Sequence, residues 1–233
     1  MVKENINNIF KDVFGRDNPF SEADLIQRFC KNIPLPQNVK CALTGDDTWI
    51  IPLEHSKVID LDSVRAKKGI EDWMKPKHPI NSMDDLFKYW NEVNYQSGNK
   101  STSSVDFSKS DCVMNSSNIY MSSLVGNSKH IYMGYNVFNC SYLIASRGTN
   151  SCSMGIRMLE SQYCSSGFEV NYCNKVSRSI FVVDSFDLYE CLFCFQLTSK
   201  QYCVCNMQFS QEEYMKIKAM VVEWIITNSG KVG

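Results

Sequence analysis

Between residues 104 and 206 the chain repeats itself every twelve residues, and a fixed period that short restricts the fold more than any motif in the sequence. Ser104, Ser116, Ser128 and Cys140 stand twelve apart, and three residues after each comes an apolar one, Phe107, Ile119, Ile131 and Leu143. After an irregular stretch the phase resumes at Ser161, Cys173 and Ser185, followed by Cys164, Val176 and Leu188. Segments 115–122 and 127–134 are near copies of one another. Such units bury their apolar side only against their neighbours, which is the condition of a stacked solenoid. The mixture of Tyr, Phe, Ile and Val with Asn, Ser and Gly suits short strands joined by tight corners. A twelve-residue unit is either one small coil or half of a larger one. The five apolar residues Ile119, Tyr120, Met121, Leu124 and Val125 favour the larger interior. The expectation is therefore a right-handed parallel β-helix of about four turns, at about twenty-four residues per turn.

The flanks read differently. Residues 2–14 place Ile6, Ile9, Phe10 and Val13 at helical spacing. Ser21 with Asp24 opens a second helix carrying Leu25, Ile26 and Phe29, and Pro34 and Pro36 end it. Segments 38–43 and 48–53, joined by Thr44-Gly45-Asp46-Asp47, form a hairpin signal. A helix is expected over 62–74. Another follows Ser82, with Met83, Leu86, Phe87, Trp90 and Val93 on one stripe. Ser210 with Glu213 caps a last helix striped by Tyr214, Ile217, Val221 and Trp224, placed to cap the solenoid or to dock on a partner. The fold class is thus α+β, with a mixed helical and hairpin part over 1–94 and a linker over 95–103. A β-solenoid over 104–209 and a capping helix over 210–229 complete it.

Charge excludes some functions. Twenty-four basic residues against 25 acidic give a net charge of −1, which argues against non-specific nucleic-acid binding. No run of eighteen apolar residues suggests a membrane span. Lys3, Glu4, Lys11 and Asp12 interrupt the first fourteen residues, unlike a secretory signal, so a cytoplasmic or intravirion location is expected.

The eleven cysteines fall mostly within the repeat, Cys140, Cys152 and Cys164 in one column. A reduced, buried ladder is the favoured reading over disulfides or metal. The weak metal candidates are Cys191, Cys194, Cys203 and Cys205. Against them stand the apolar residues between the thiols and the absence of knuckle glycines. In an extended strand, moreover, Cys203 and Cys205 would face one side. His55, His78 and His130 are isolated, His130 in an outward slot. Asp184 and Asp187, with Glu190 nearby, could pair as in carbohydrate-active β-helices, although surface solvation explains them as well. Tyr120, Tyr132, Tyr142 and Tyr189 could stack along the rungs or present a surface to a protein or a glycan.

The run Leu197-Thr198-Ser199-Lys200-Gln201-Tyr202-Cys203-Val204-Cys205-Asn206-Met207-Gln208-Phe209-Ser210-Gln211-Glu212-Glu213-Tyr214 resembles a C-terminal consensus of uncharacterised Cys-, Asn- and Tyr-rich repeat proteins from candidate-phylum bacteria. Pro34-Leu35-Pro36 and Cys41-Ala42-Leu43-Thr44-Gly45 look like remnants of that family's N-terminal region. Where the family often carries CxxC pairs, this chain keeps only Cys30 and Cys41, too few for a four-thiolate site. The resemblance implies a β-helix-like fold without implying a reaction, and it admits a virus-encoded relative. The function expected is that of a non-enzymatic structural or interaction protein, without cofactor, that self-associates or binds other proteins in a larger assembly such as a virion. The alternatives are a carbohydrate-active or acyl-transferring β-helix enzyme and a zinc-dependent nucleic-acid-binding module.

Overall fold

The computed structural model describes residues 2–54, 56–67, 69 and 73–228. Its organising element is a β-solenoid whose parallel strands pair at a shift of twelve. Ile131 lies beside Ile119 on one side and Leu143 on the other. On the adjacent flank Val125 lies between Val113 and Val137. One coil therefore takes twelve residues, half the size expected from the apolar count, and among the described residues nine parallel strands follow one another in the main ladder, with two more paired beside it. At about 4.8 Å per rung the rod is roughly 40 Å long.

The backbone explains how so small a coil closes. Every third residue from Ser103 to Cys205 has φ between 46° and 66°, in the left-handed region. Each coil is thus four three-residue sides, each made of an inward residue, an outward residue and a left-handed corner. A left-handed corner costs about 1–2 kcal/mol for most residues, less for asparagine, and Asn115, Asn127 and Asn139 occupy one corner column. Their amides continue the stack outside, Asn115 Nδ2 donating to Asn127 Oδ1 at 3.2 Å.

Four inward side chains fill each cross-section. Of the five apolar residues counted for a wide interior, only Ile119 and Val125 point into it. Tyr120 and Met121 face outward into a second apolar layer, and this layer accounts for the excess.

Ser and Cys serve the interior as hydrogen-bonding groups. Ser116 Oγ donates to the Met114 carbonyl at 2.6 Å and accepts from the Ser128 amide at 3.0 Å. Ser128 repeats the pattern with the Gly126 carbonyl and the Cys140 amide. Cys140 Sγ then takes the same role toward the Phe138 carbonyl and the Cys152 amide. Buried amides that face along the column are satisfied in this way.

Helices cover one flank. α1 (Val2–Phe14) and α2 (Glu22–Phe29) bury Ile6, Ile9, Phe10, Leu25 and Phe29 against Tyr132, Ile144, Ile156 and Phe168. The capping box of Ser21 and Asp24 forms as its spacing predicts. Buried Arg157 pairs with Glu169 and donates to the Phe29 carbonyl at 2.6 Å, fastening the end of α2 to the coil.

The N-terminal end is closed by a hairpin of β1 (Gln37–Lys40) and β2 (Asp47–Ile50), shorter than the sequence suggests, and by β3 (Lys57–Asp60). α3 (Leu61–Ala66) stops well short of residue 74, and residues 68 and 70–72 of that expected helix lie outside the described residues, as does His55. α4 (Met83–Val93) leads into β4 (Tyr95–Gly98), which pairs parallel with β3, and β5 (Ser101–Thr102), which pairs with the strand Asp111–Met114. Segment 95–103, read as a linker from its composition, carries these two strands.

At the other end Cys203–Val204 pairs antiparallel with Met207–Gln208. The Asn206 carboxamide takes both the amide and the carbonyl of Phe195, replacing a further rung. α5 (Gln211–Thr227) begins with the capping box of Ser210 and Glu213. It packs Tyr214 on Tyr202 of the last coil and reaches back past Phe181, with Arg28 of α2 donating to its Ile226 carbonyl.

Candidate interaction surfaces

The tyrosine columns end up in three environments. Tyr132 is buried beneath α1, and its hydroxyl accepts from Asn5 Nδ2 at 2.9 Å. The Tyr120 hydroxyl meets both carboxylate oxygens of Glu22 at the start of α2, at 2.9 and 3.0 Å, with Lys109 over its ring. Tyr142 stacks on His130 with ring centroids 4.3 Å apart, and His130 Nδ1 lies 3.1 Å from Asn5 Nδ2. His130 is half-buried against α1, where burial, then Lys129, lowers its pKa. Three of the four candidate tyrosines thus face the protein's own N-terminal helices. Tyr189 stays on the exterior, its hydroxyl 3.4 Å from Arg178.

All eleven cysteines are free thiols. Cys191, Cys194 and Cys203 are buried and point inward, whereas Cys205 is exposed at a corner. The alternation expected of an extended strand would put Cys203 and Cys205 on one side. It fails because the backbone turns at every third residue. Cys191 and Cys194 occupy successive inward positions, and the interaction of the two thiols, with burial, raises the Cys191 pKa, while the same interaction lowers that of Cys194. Elsewhere burial pushes Cys173 up to about 11 and Cys30 up to about 12. Among the described residues no three His, Cys, Asp or Glu side chains are grouped to hold a metal ion.

Asp184, Asp187 and Glu190 are successive left-handed corners of the coil, so they diverge around it. Asp187 accepts from Ser199 Oγ at 2.7 Å, and Glu190 is paired with Lys218 of α5 at 2.8 Å. They do not form the facing pair that glycoside hydrolysis uses. A groove of about 600 Å³ between α1 and α5 gathers Lys11, Arg16, Arg178 and Lys218, but also Asp12, Glu190 and Glu223. Its opposite charges largely satisfy each other, Arg16 with Glu223 at 2.8 Å and Lys218 with Glu190.

On α5, Tyr214 and Val221 are buried, Ile217 is half-buried, and Trp224 shows its edge beside Phe181. Burial, then Glu190, raises the Tyr214 phenol, whose hydroxyl has no hydrogen-bond partner among the described residues.

Large exposed apolar side chains gather at two places. One is the last coils, where Tyr172, Phe186, Phe193 and Phe195 stand outward. The other is α4, which buries none of its residues. Its stripe of Met83, Leu86, Phe87, Trp90 and Val93 is exposed, and Leu86, Trp90 and Val93 line a groove of about 450 Å³ together with Pro76, Ile80 and Tyr89. The spacing identifies this stripe in the sequence but not its exposure. The one local signal is the Lys- and Pro-rich segment 75–79, which offers no second apolar stripe to cover it. No helix among the described residues is long and apolar enough to cross a membrane. Comparisons with protein families, with curated proteins and with solved structures find no match.

Proposed function

We propose that this chain is a non-enzymatic structural and interaction protein. It acts as a rigid spacer that joins partners at its two ends, inside a larger assembly such as a virion or an intracellular multiprotein complex. The observation that supports this reading is the distribution of exposed apolar surface. Monomeric proteins rarely leave contiguous apolar patches of several hundred Å² in water. Here a stripe of exposed apolar side chains lies on α4, next to the first strands, and Phe186, Phe193 and Phe195 stand exposed on the last coils. Between them runs a rod stiffened by continuous backbone and side-chain ladders, which keeps the two patches at a fixed separation.

Sedimentation velocity on the whole chain tests the reading. The chain should sediment above its monomer mass of 26.7 kDa. Phe186→Glu with Phe195→Glu should lower that mass without unfolding the protein, because both side chains already face solvent. A wild-type chain that stays monomeric at high micromolar concentration, and has no partner in its native source, would overturn it.

A further inference from the structure

The α4 end carries enough detail to name its occupant. On α4, Met83, Leu86, Phe87, Trp90 and Val93 are between 40% and 61% exposed, and the adjacent Ile80 and Met74 are 57% and 72% exposed. At ~200 Å² for a large side chain this leaves roughly 750 Å² of accessible apolar surface, close to the ~800 Å² per partner of a stable protein–protein interface. The stripe has the 3-4 spacing by which two helices pack lengthwise.

Charge selects the partner. The first turn of α4 carries Asp84 and Asp85. Segment 75–78 lies along its last turns, with Lys75 on Glu92 at 3.7 Å and His78 stacked on Tyr89. Lys75 and Lys77 therefore flank the C-terminal half of the groove. An antiparallel pair of identical α4 helices brings each acidic first turn beside the partner's basic segment. The same patch is then used on both sides, as a two-fold interface requires. A net charge of −1 adds no repulsion between copies.

We infer that α4 is a homodimer interface, in which a second copy of the chain lays its own α4 antiparallel into the Trp90 groove and joins two rods at their N-terminal ends. This rests on the scaffold reading and gives one of the two ends its partner.

The test is sedimentation equilibrium of the whole chain with substitutions in α4. The chain carrying Phe186→Glu with Phe195→Glu, which leaves α4 to self-associate, should weigh twice the monomer, and adding Phe87→Glu with Trp90→Glu should halve that mass while the thermal melt stays unchanged. Asp84→Lys alone and Lys77→Glu alone should each weaken the dimer several-fold, and the two together in one chain should restore it, since the charges then meet reversed. An unaltered mass after Phe87→Glu with Trp90→Glu overturns the inference. If Phe186→Glu with Phe195→Glu does lower the mass in that case, the scaffold reading survives alone. A monomeric wild type overturns the homodimer, and it overturns the scaffold reading as well when the native source yields no partner. A wild type that is monomeric in solution but sediments with vesicles of phosphatidylcholine and phosphatidylserine also overturns the homodimer, and makes α4 a lipid-facing helix.

Discussion

The first four coils and the later ones share one backbone and fill it along opposite diagonals. From residue 104 to 149 the large inward residues are Phe107, Ile119, Ile131 and Leu143, facing Val113, Val125 and Val137. The other diagonal there is small: Ser104, Ser116 and Ser128 opposite Ser110, Ser122 and Gly134. Beyond Cys152 the assignment reverses. Gly155, Gly167 and Ser179 take over the isoleucine column and Ser161, Cys173 and Ser185 the valine column, while Met158, Val170, Val182, Val176 and Leu188 become large. The exchange is steric, because a β-carbon on Gly155 would overlap the Met158 thioether, and one on Gly167 would lie 2.8 Å from both Ser179 O and Val170 Cγ2. What the coil conserves is the volume of its cross-section and the hydrogen bonds of its small inward residues. The identity of a column is free to change, and the irregular stretch near residue 150 is where it does.

The two halves also differ in their cover. α1 and α2 lie over the middle coils, and α5 lies over the last ones. Removing residues 211–233 should have the largest effect of any change considered, by exposing Phe181, Leu192 and Tyr202 at once. Hydrogen exchange should rise steeply over 168–205 and much less over 119–145, with the truncated chain aggregating. Equal protection of both halves would show that α5 is not their cover. Within the first half, Ile131→Ala should cost about 2–5 kcal/mol in urea unfolding, because its small neighbours on the other diagonal cannot expand into the space. In the second half the opposite error is the damaging one. Gly155→Val should cost about 1–3 kcal/mol by overpacking, and Met158→Ala in the same chain should recover part of it. Absence of any recovery would contradict the diagonal pairing. Comparable or smaller effects concern the small polar residues that point inward. Ser128→Ala leaves the buried Cys140 amide without its acceptor, while the Gly126 carbonyl keeps the Asn139 amide, and should cost about 1–3 kcal/mol. Ser128→Cys should cost less than about 1 kcal/mol, since Cys140 already performs that role one rung later.

Much of this fold was legible from local chemistry. Ser21, Ser82 and Ser210 do cap helices, and the twelve-residue phase is the true rung spacing. The apolar count overstates the coil because Tyr120 and Met121 belong to the layer beneath α1 and α2 and not to the interior. The signal that could have corrected this is a triplet. Every third residue from Ser104 to Leu197 is Ser, Thr, Gly, Cys or an aliphatic, Met or Phe residue, with no charge and no Asn among them. A period of two, the usual guide to strands, cannot register it, because each third residue turns left-handed. The candidate surfaces were less legible still. Tyr132 and Tyr142 carry the composition of an outer face, and only the path of α1 shows that the chain covers them itself. The exposure of α4 depends on what its neighbours fail to cover, which local spacing does not encode.

The twelve-residue coil is the claim on which the rest depends, and through-space NMR contacts test it most directly. Methyl contacts should link Ile119 to Ile131 and Ile131 to Leu143, and scalar coupling across a hydrogen bond should link the Lys129 amide to the Cys140 carbonyl, 3.1 Å away. Contacts that instead join residues twenty-four apart, with none at twelve, would contradict the account and restore the larger coil.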